Sequence, residues 1–350
     1  MSSTLSISVC IPAYNRSAVL GELLDSIFFQ DYEFFDVVIC EDMSPEREEI
    51  RAIVFRYQAK YPGRIEYVEN PNNLGYDQNL RQLLSTARGD YTLFMGNDDL
   101  MSPGAIAHVA DVLARHSDAA VYLRSYAAFE GEPENVVQVF RYFEHETYFP
   151  PGARSIATVY RRSVVIPGMT FHRETALKYT TDKFDGTLLY QLYLVAEILI
   201  EKGAVFSPEC IVLYRNGGIP DFGNSEAERG VFQPNIRTPE SSLRFIEGML
   251  TIIRYIEEEH GVAVARPVIR DMANYSYPLL SIQADKPLKI FLSYGWELSK
   301  LGFFRYPIYW FYFIGLLLLG VSRTDSLIVW MKRRLGRTPV LGKVYQGEGP

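Results

Sequence analysis

The stretch GDYTLFMGNDDLMSP, residues 89–103, predicts a buried strand, an acidic turn and the start of a helix. Its apolar run, residues 91–95, is closely followed by Asn97, Asp98 and Asp99. Two adjacent carboxylates repel each other unless a positive charge lies beside them. The pair therefore predicts a site for a divalent cation, shared with the phosphates of a substrate. The alternative is that both aspartates cap the next helix, where Asp is favoured.

Two earlier apolar runs, residues 5–13 and 36–40, also predict strands, and each precedes a helical pattern. Strands that alternate with helices predict right-handed crossovers and a mostly parallel sheet. Ligands of such sheets bind beyond the carboxyl ends of the strands. The residues at these two ends that we expect to hold a nucleotide-like ligand are Pro12, Tyr14, Asn15, Arg16, Glu41 and Asp42.

Five short motifs occur in a characteristic order and spacing. They are PAYNR at 12–16, EDMS at 41–44, NNLGYDQN at 72–79, GDY at 89–91 and NDD at 97–99. In these motifs the chain resembles the family 2 glycosyltransferases, which have the GT-A fold, over roughly residues 5–215. The resemblance implies an inverting, metal-dependent enzyme that moves a sugar from a nucleotide-sugar by a single displacement.

The same resemblance implies roles for particular residues. Asp98, with Asp99 beside it, would hold Mn²⁺ or Mg²⁺, which would neutralise charge on the departing nucleoside diphosphate. Tyr14 would stack on the nucleobase, and Asp42 would accept a hydrogen bond from it. A carboxylate that only accepts suits the N3–H of uracil and also the amino group of cytosine, so we expect a UDP-linked donor.

Two positions depart from the commonest family pattern. Gly96, next to Asn97, stands where a further aspartate is usual, and Glu41 also replaces an aspartate. These departures leave the identity of the donor open, but they do not remove the predicted metal ligand.

The turn before the predicted helix at residues 76–86 completes the expected donor site. Asn73 and Gly75 lie in that turn, and Asn79 lies on the helix. Gly75 is expected to allow an unusual backbone angle or a close approach to the ligand. The alternative is a simple chain reversal, which the same residue types also favour.

Asp185 is the predicted general base of the acceptor half. It comes shortly before an apolar helical run at residues 188–200, and the resemblance implies a base at this place. Asp185 could instead serve as the N-cap of that helix, and the two roles are compatible because a cap fixes the side chain. Asp182 is the alternative base.

Composition limits the possible partners and compartment. The chain has 350 residues and a net charge of −7, without a basic stripe in its first 300 residues, so nucleic acid is excluded as a partner. Its three cysteines are widely spaced, and Cys10 and Cys40 fall in predicted core strands. They predict buried thiols in a reducing compartment. The start of the chain lacks a signal-peptide pattern, so we expect a cytoplasmic location.

The last third of the chain has a different character. Three amphipathic helices are predicted at 239–260, 266–282 and 287–300, before the uncharged, aromatic-rich segment 306–322 and a basic tail. This pattern predicts monotopic insertion at the cytoplasmic face of a membrane, a location that suits a lipid-linked acceptor. The alternative is a buried core helix or an oligomer interface, because apolar runs this short are ambiguous.

The sequence therefore predicts a GT-A glycosyltransferase domain over residues 1–235, with a nucleotide-binding half at 1–116 and an acceptor half at 117–235. Residues 236–350 are predicted to form a helical, membrane-associating region. The expected partners are a nucleotide-sugar, a glycan or lipid-linked glycan, and a membrane surface. The alternatives are a nucleotidyltransferase, which would need a basic phosphate-binding loop near the first strand, and a non-catalytic nucleotide-sugar-binding or scaffold protein.

Overall fold

The first part of the chain alternates strands and helices, as its sequence predicts. The computed structural model describes residues 4–217, 221–234, 236 and 238–334. The first elements are β1 (Ile7–Ala13), α1 (Ser17–Phe28), β2 (Phe35–Glu41), α2 (Arg47–Lys60), β3 (Ile65–Glu69), α3 (Tyr76–Thr86) and β4 (Tyr91–Phe94). The strands lie in the order β3–β2–β1–β4, and all three pairings are parallel. The carboxyl ends of β1, β2 and β4 therefore lie at one edge of the sheet.

The second part adds mainly antiparallel pairings. Its elements are β5 (Leu100–Met101), α4 (Ala105–Arg115), β6 (Ala119–Phe129), β7 (Val136–Phe140), β8 (Thr147–Phe149), α5 (Ala153–Val159), β9 (Thr170–His172), α6 (Arg173–Lys178), α7 (Tyr190–Glu201) and β10 (Gly203–Arg215). Beyond β4 the sheet continues β9–β6–β10–β5, with β7 beside β6 and β8 beside β10. Of these pairings, β6–β10 is parallel and the others are antiparallel. The predicted α/β class is confirmed, and the complete sheet is mixed.

Hydrophobic cores cover both faces of this sheet. Cys10 and Cys40 pack in one core, whereas their neighbours Val9 and Ile39 pack in the other. This division follows from the alternation of side chains along a strand. Both cysteines are fully buried thiols, as predicted. The core that holds them continues into the C-terminal helices as far as Ile328.

The C-terminal region is helical. Its elements are α8 (Pro239–His260), α9 (Ala265–Asn274), α10 (Tyr277–Ser281), α11 (Leu288–Lys300) and α12 (Pro307–Arg334). Thr238 caps α8 by accepting from the backbone N–H of Ser241 at 3.0 Å. The single helix predicted over 266–282 is wrong, because the chain breaks between α9 and α10. Pro278, in the first turn of α10, lacks the N–H that a continuous helix needs.

α12 is bent sharply at Gly320, whose φ of 71° and ψ of 177° are not helical. A Cβ on Gly315 would lie 3.1 Å from Thr324, although a straight helix separates such residues by roughly 13 Å. The chain therefore turns back on itself inside the predicted segment 306–322. By length and composition, α12 is the one helix of the described chain that could cross a membrane. Neither of its two halves reaches the roughly 20 residues that a spanning helix needs.

Candidate functional site

A cavity of about 260 Å³ lies at the carboxyl ends of β1, β2 and β4. We call it the donor cavity. The structure brings together nine residues of the predicted donor and metal sites in its wall: Pro12, Tyr14, Arg16, Asp42, Asn73, Gly75, Asn79, Asn97 and Asp98. Asn15, Glu41, Asp99 and Asp185 are not among its lining residues. Its position is the one expected for a ligand of an α/β sheet.

Arg16 holds two carboxylates at the mouth of this cavity. Its Nη1 lies 3.3 Å from Oδ2 of Asp98, and its Nε donates to Oδ2 of Asp221 at 3.3 Å. Asn15 and Arg16 both adopt left-handed backbone angles, with φ of 53° and 68°, which turn the chain directly after β1. Burial raises the pKa of Asp98, and the nearby Arg16 charge opposes that rise. Asp98 is therefore a cavity-lining carboxylate that lies beside the positively charged guanidinium of Arg16.

Asp99 lies behind Asp98 and supports the turn. Its Oδ1 accepts from the backbone N–H of Arg215 at 3.0 Å, and its side chain is buried. Burial and then the neighbouring Asp98 raise the pKa of Asp99 well above its usual range. A Cβ on Gly96 would lie 2.5 Å from Oδ2 of Asp99, so the glycine at this position makes room for that carboxylate. Neither aspartate caps α4, whose N-cap is Gly104.

Asp42 organises the turn before α3 from the end of β2. Its Oδ1 accepts from the backbone N–H of Leu74 at 2.8 Å and from Nδ2 of Asn70 at 2.9 Å. Its Oδ2 accepts from the N–H of Gly75 at 2.9 Å. Burial is the largest effect on this carboxyl group and raises its pKa. Gly75 has a φ of 82°, the unusual angle that its place in the turn predicts.

The side chains of Glu41, Asn79 and Asn97 make hydrogen bonds to backbone groups near the site. Glu41 is buried and accepts from the N–H of Ser44 at 2.6 Å and from Nε of Arg47. Asn79 donates from Nδ2 to the carbonyl of Cys40 at 3.1 Å. Asn97 donates from Nδ2 to the carbonyl of Asn15 at 2.9 Å. These side chains shape the ends of β1 and β2, and Asn79 and Asn97 also border the donor cavity.

Residues 221–234, which we call the covering segment, form a wall of the donor cavity that was not predicted. Glu228 is buried and accepts from the N–H of Tyr76 and the N–H of Gly223, both at 2.8 Å. Phe222 packs edge-on against Tyr76 with ring centroids 5.9 Å apart. The lining residues absent from the predicted set are Tyr76, Gly96, Ile166, Tyr214, Arg215, Asp221, Phe222, Asn224 and Glu228. The sequence did contain a signal for a loop here, because DFGNSEAERG at 221–230 is rich in turn residues and comes after an apolar run.

Asp185 is held by Arg81 of α3. Its Oδ2 accepts from Nη2 of Arg81 at 2.7 Å, and its Oδ1 accepts from Nη1. It borders a second cavity of about 330 Å³, whose wall includes Ala227, Val231 and other residues of the covering segment. Asp185 is not the N-cap of α7, because that helix begins at Tyr190 with Leu189 as its cap.

Asp77, which sequence analysis did not single out, binds the start of α7 instead. Its Oδ2 accepts from the N–H of Leu188 and its Oδ1 from the N–H of Tyr190, both at 2.9 Å. The residue lies on α3, so one carboxylate joins the predicted nucleotide-binding half to the acceptor half. Burial, opposed by these hydrogen bonds, raises the pKa of Asp77 to about 7.

The residues present fit a divalent cation that takes most of its ligands from the phosphates of a bound substrate. Within residues 4–217, 221–234, 236 and 238–334, no three His, Cys, Asp or Glu side chains form a ligand cluster. Magnesium-type sites commonly use one or two carboxylates and take their other ligands from phosphates and water. Asp98 meets this requirement at the cavity wall, whereas Asp99 has one oxygen bound to backbone and lies outside the lining.

Comparisons with known proteins agree with this geometry. The family described as Glycosyl transferase family 2 matches residues 8–179. The abequosyltransferase RfbV of Salmonella typhimurium is 38% identical over 119 residues, which are 33% of this chain and 34% of RfbV. The chain therefore spans about a third of the length of that curated relative.

Two solved structures share the fold. S. aureus TarS 1–349 in complex with UDP-GlcNAc has a TM-score of 0.54 and 18% identity, covering 95% of this chain and 86% of that one. The mannosyltransferase PcManGT of Pyrobaculum calidifontis, in complex with GDP-Man and Mn²⁺, has a TM-score of 0.51 and 14% identity, covering 97% and 82%. Residues 8–179 thus carry a family 2 glycosyltransferase domain, and the chain has a GT-A fold.

Proposed function

We propose that this protein transfers a sugar from a UDP-linked donor to a glycan or lipid-linked glycan, with inversion at the anomeric carbon. The observation that carries this proposal is the donor cavity, where the ring of Tyr14, the carboxylates of Asp42 and Asp98 and the guanidinium of Arg16 meet beyond three parallel strands. The family match supports the same activity.

The nucleobase would lie between Tyr14 and Asp42. A carboxylate offers about four lone-pair positions, and three of those on Asp42 are used by Leu74, Gly75 and Asn70. One acceptor position is left, which suits a single N–H such as that at N3 of uracil. The ring of Tyr14 supplies a surface on which the base can stack.

Asp98 is the proposed protein ligand of Mn²⁺ or Mg²⁺. A bound divalent cation supplies charge neutralisation for the departing diphosphate. Arg16 lies against the same carboxylate and offers a second positive charge to the phosphates. We assign Asp99 to the support of this turn and of any bound ion, because its Oδ1 is bound to the backbone of Arg215.

Asp185 is the proposed general base. As the acceptor oxygen bonds to the anomeric carbon, the bond from that carbon to the diphosphate oxygen breaks, and the hydroxyl proton passes to the base. Asp185 borders the second cavity, from which an acceptor can approach. Arg81 fixes the orientation of the carboxylate, and the acceptor hydroxyl would compete with Arg81 for it.

The bent helix α12 is the proposed contact with the cytoplasmic face of a membrane. Ile314, Leu318, Leu319 and Val321 lie around the bend at Gly320 and are exposed. A soluble protein seldom leaves such an apolar surface uncovered, and a turned-back hairpin suits shallow insertion. The basic residues 332–334 would strengthen binding to anionic lipid, whereas the tail beyond residue 334 lies outside the described residues.

Thermal unfolding with and without UDP and Mn²⁺ tests the donor site. We expect UDP with Mn²⁺ to raise the Tm of the wild type, and a chelator to reverse most of that rise. Asp98→Ala should lose the Mn²⁺-dependent part, while Asp111→Ala, a change at an exposed position on α4, should keep it. If Asp98→Ala kept the full Mn²⁺-dependent rise, the metal assignment would fail. If no nucleotide stabilised the wild type, the donor site itself would fail.

A further inference from the structure

An apolar cavity lies beside the donor cavity. This cavity of about 390 Å³, which we call the apolar cavity, is lined mainly by residues of the covering segment, α8, α10 and α11 and is open to solvent on one side. Its volume falls in the range of small-molecule sites, roughly 300–1,000 Å³. Its principal apolar walls are Leu188, Phe222, Phe232, Phe245, Ile246 and Leu279.

The chemistry of the wall selects an uncharged, flexible ligand. The polar side chains of the described wall are those of Ser241, Ser242, Gln233 and Tyr294, and no charged residue lines the cavity. Three of these groups are already engaged, because Tyr294 Oη donates to the carbonyl of Leu279, Ser242 Oγ accepts from Gln283 and Ser241 Oγ donates to the carbonyl of Thr238. Moving a hydrocarbon chain from water into this cavity lowers its free energy, and the chain needs no hydrogen bonds there.

One end of the apolar cavity adjoins the donor cavity. Phe222 lines both cavities, and its ring contacts Tyr76, another residue of the donor cavity. A molecule with its hydrocarbon part in the apolar cavity would therefore bring its polar head toward the donor sugar.

The other end of the apolar cavity is partly open to solvent. Ile282 belongs to the cavity wall and is 43% exposed. α11 supplies Tyr294 to the same wall, and its exposed residues Leu288, Leu292 and Trp296 follow each other at intervals of four. Side chains at this spacing share one helix face. At 100° per residue Tyr294 lies on the opposite side of α11 from these three residues, so their stripe is a separate surface and Ile282 marks the exposed end of the cavity.

We propose that the apolar cavity binds the hydrocarbon chain of an amphiphilic acceptor and presents its polar head to the donor site. This inference rests on the proposed glycosyl transfer for its biological meaning. The binding itself needs no donor, which allows the two to be tested apart.

Displacement of a fluorescent probe, 11-(dansylamino)undecanoic acid, by 1-octanol, 1-nonanol and 1-decanol measures this binding. We expect each added methylene to raise the competitor's affinity about fourfold while the chain still lies in the cavity. Ile282→Trp narrows the mouth and should weaken probe binding at least tenfold. Ile290→Trp is the matched control, because Ile290 is also 43% exposed but does not line the cavity. It should change the affinity less than twofold.

Ile282→Asp serves as a second variant, since a carboxylate at the mouth disfavours an apolar chain and the half-exposed position tolerates charge. Equal losses at positions 282 and 290 would place the probe on the outer face of α11 and overturn the inference. Absence of probe binding to the wild type, or affinity without dependence on chain length, would also overturn it. UDP-induced stabilisation is measured on the same samples. Probe binding without any nucleotide effect would overturn the proposed transfer and leave the apolar cavity standing.

Discussion

Replacing Gly75 by alanine should separate the covering segment from the donor cavity. A Cβ at this position would lie 2.4 Å from Oγ of Ser225 and 2.8 Å from Oε1 of Glu228, whereas ordinary contacts begin at 3.4 Å. The segment would have to move by about 1 Å, because repulsion rises steeply below contact distance. That movement stretches the hydrogen bond that Glu228 makes with the backbone N–H of Tyr76, which lies outside the segment.

The expected cost follows from these contacts. A non-glycine residue at a φ of 82° and ψ of 169° carries strain of about 2 kcal/mol. Loss of one hydrogen bond to the buried Glu228 carboxylate adds about 2 kcal/mol. Gly75→Ala should therefore lower the free energy of unfolding by about 4 kcal/mol. It should weaken UDP binding about tenfold, since Asp221, Phe222 and Glu228 move with the segment.

Gly63→Ala is the matched control for this prediction. Gly63 also has a positive φ, 75°, but a Cβ there would have no neighbour within 4 Å. It should lose only about 1–2 kcal/mol from its backbone and keep UDP affinity. Adding Ser225→Gly to Gly75→Ala should restore part of both losses, because it removes the nearest atoms. Urea unfolding and calorimetric titration with UDP measure the two effects. Identical results for Gly75→Ala and Gly63→Ala would refute the reasoning.

Three further outcomes are expected. Asp185→Asn should lower turnover by about two to four orders of magnitude and leave the affinity for UDP unchanged, while Asp182→Asn should keep nearly wild-type turnover. If initial rates showed the reverse, the role of general base would pass to Asp182. Asp77 keeps its proton to about pH 7 when folded but only to its usual 3.8 when unfolded, so it makes stability fall as pH rises from 4 to 7. Asp77→Asn should flatten that fall in urea titrations. Changing residues 332–334 to glutamine should reduce flotation with anionic liposomes, most strongly at low salt.

The parallel strands in the first part of the chain could be predicted because they carry the simplest signal. β1, β2 and β4 are short apolar runs that end in polar residues. β10 was not predicted, although it pairs with both β6 and β5. Pro208 and Glu209 interrupt its apolar pattern, and proline normally argues against an internal strand. The structure accommodates them by an irregular register between Ser207 and Cys210.

The composition of the donor site could be predicted better than its contacts. Motif order indicated which residues meet there, because the carboxyl ends of parallel strands share an edge. The pairing of Arg16 with Asp98 depends on two left-handed residues after β1, neither of which is glycine. The covering segment was missed because its link to Gly75 joins residues about 150 positions apart. The break of α12 depends on Gly320 alone, whose angles the surrounding apolar pattern conceals.

Helix α3 has a consequence for building chimeric enzymes. Its first turn begins at Gly75, which Asp42 holds, and its Asp77 binds the start of α7. One turn later Arg81 holds Asp185. Exchange of donor-binding loops between relatives would therefore transmit any shift of this helix to the acceptor side. Chimeras joined after Thr86, which keep α3 with its own β2, retain the Asp42 contact, but their Gly75, Tyr76, Asp77 and Arg81 must still match the incoming part of the chain.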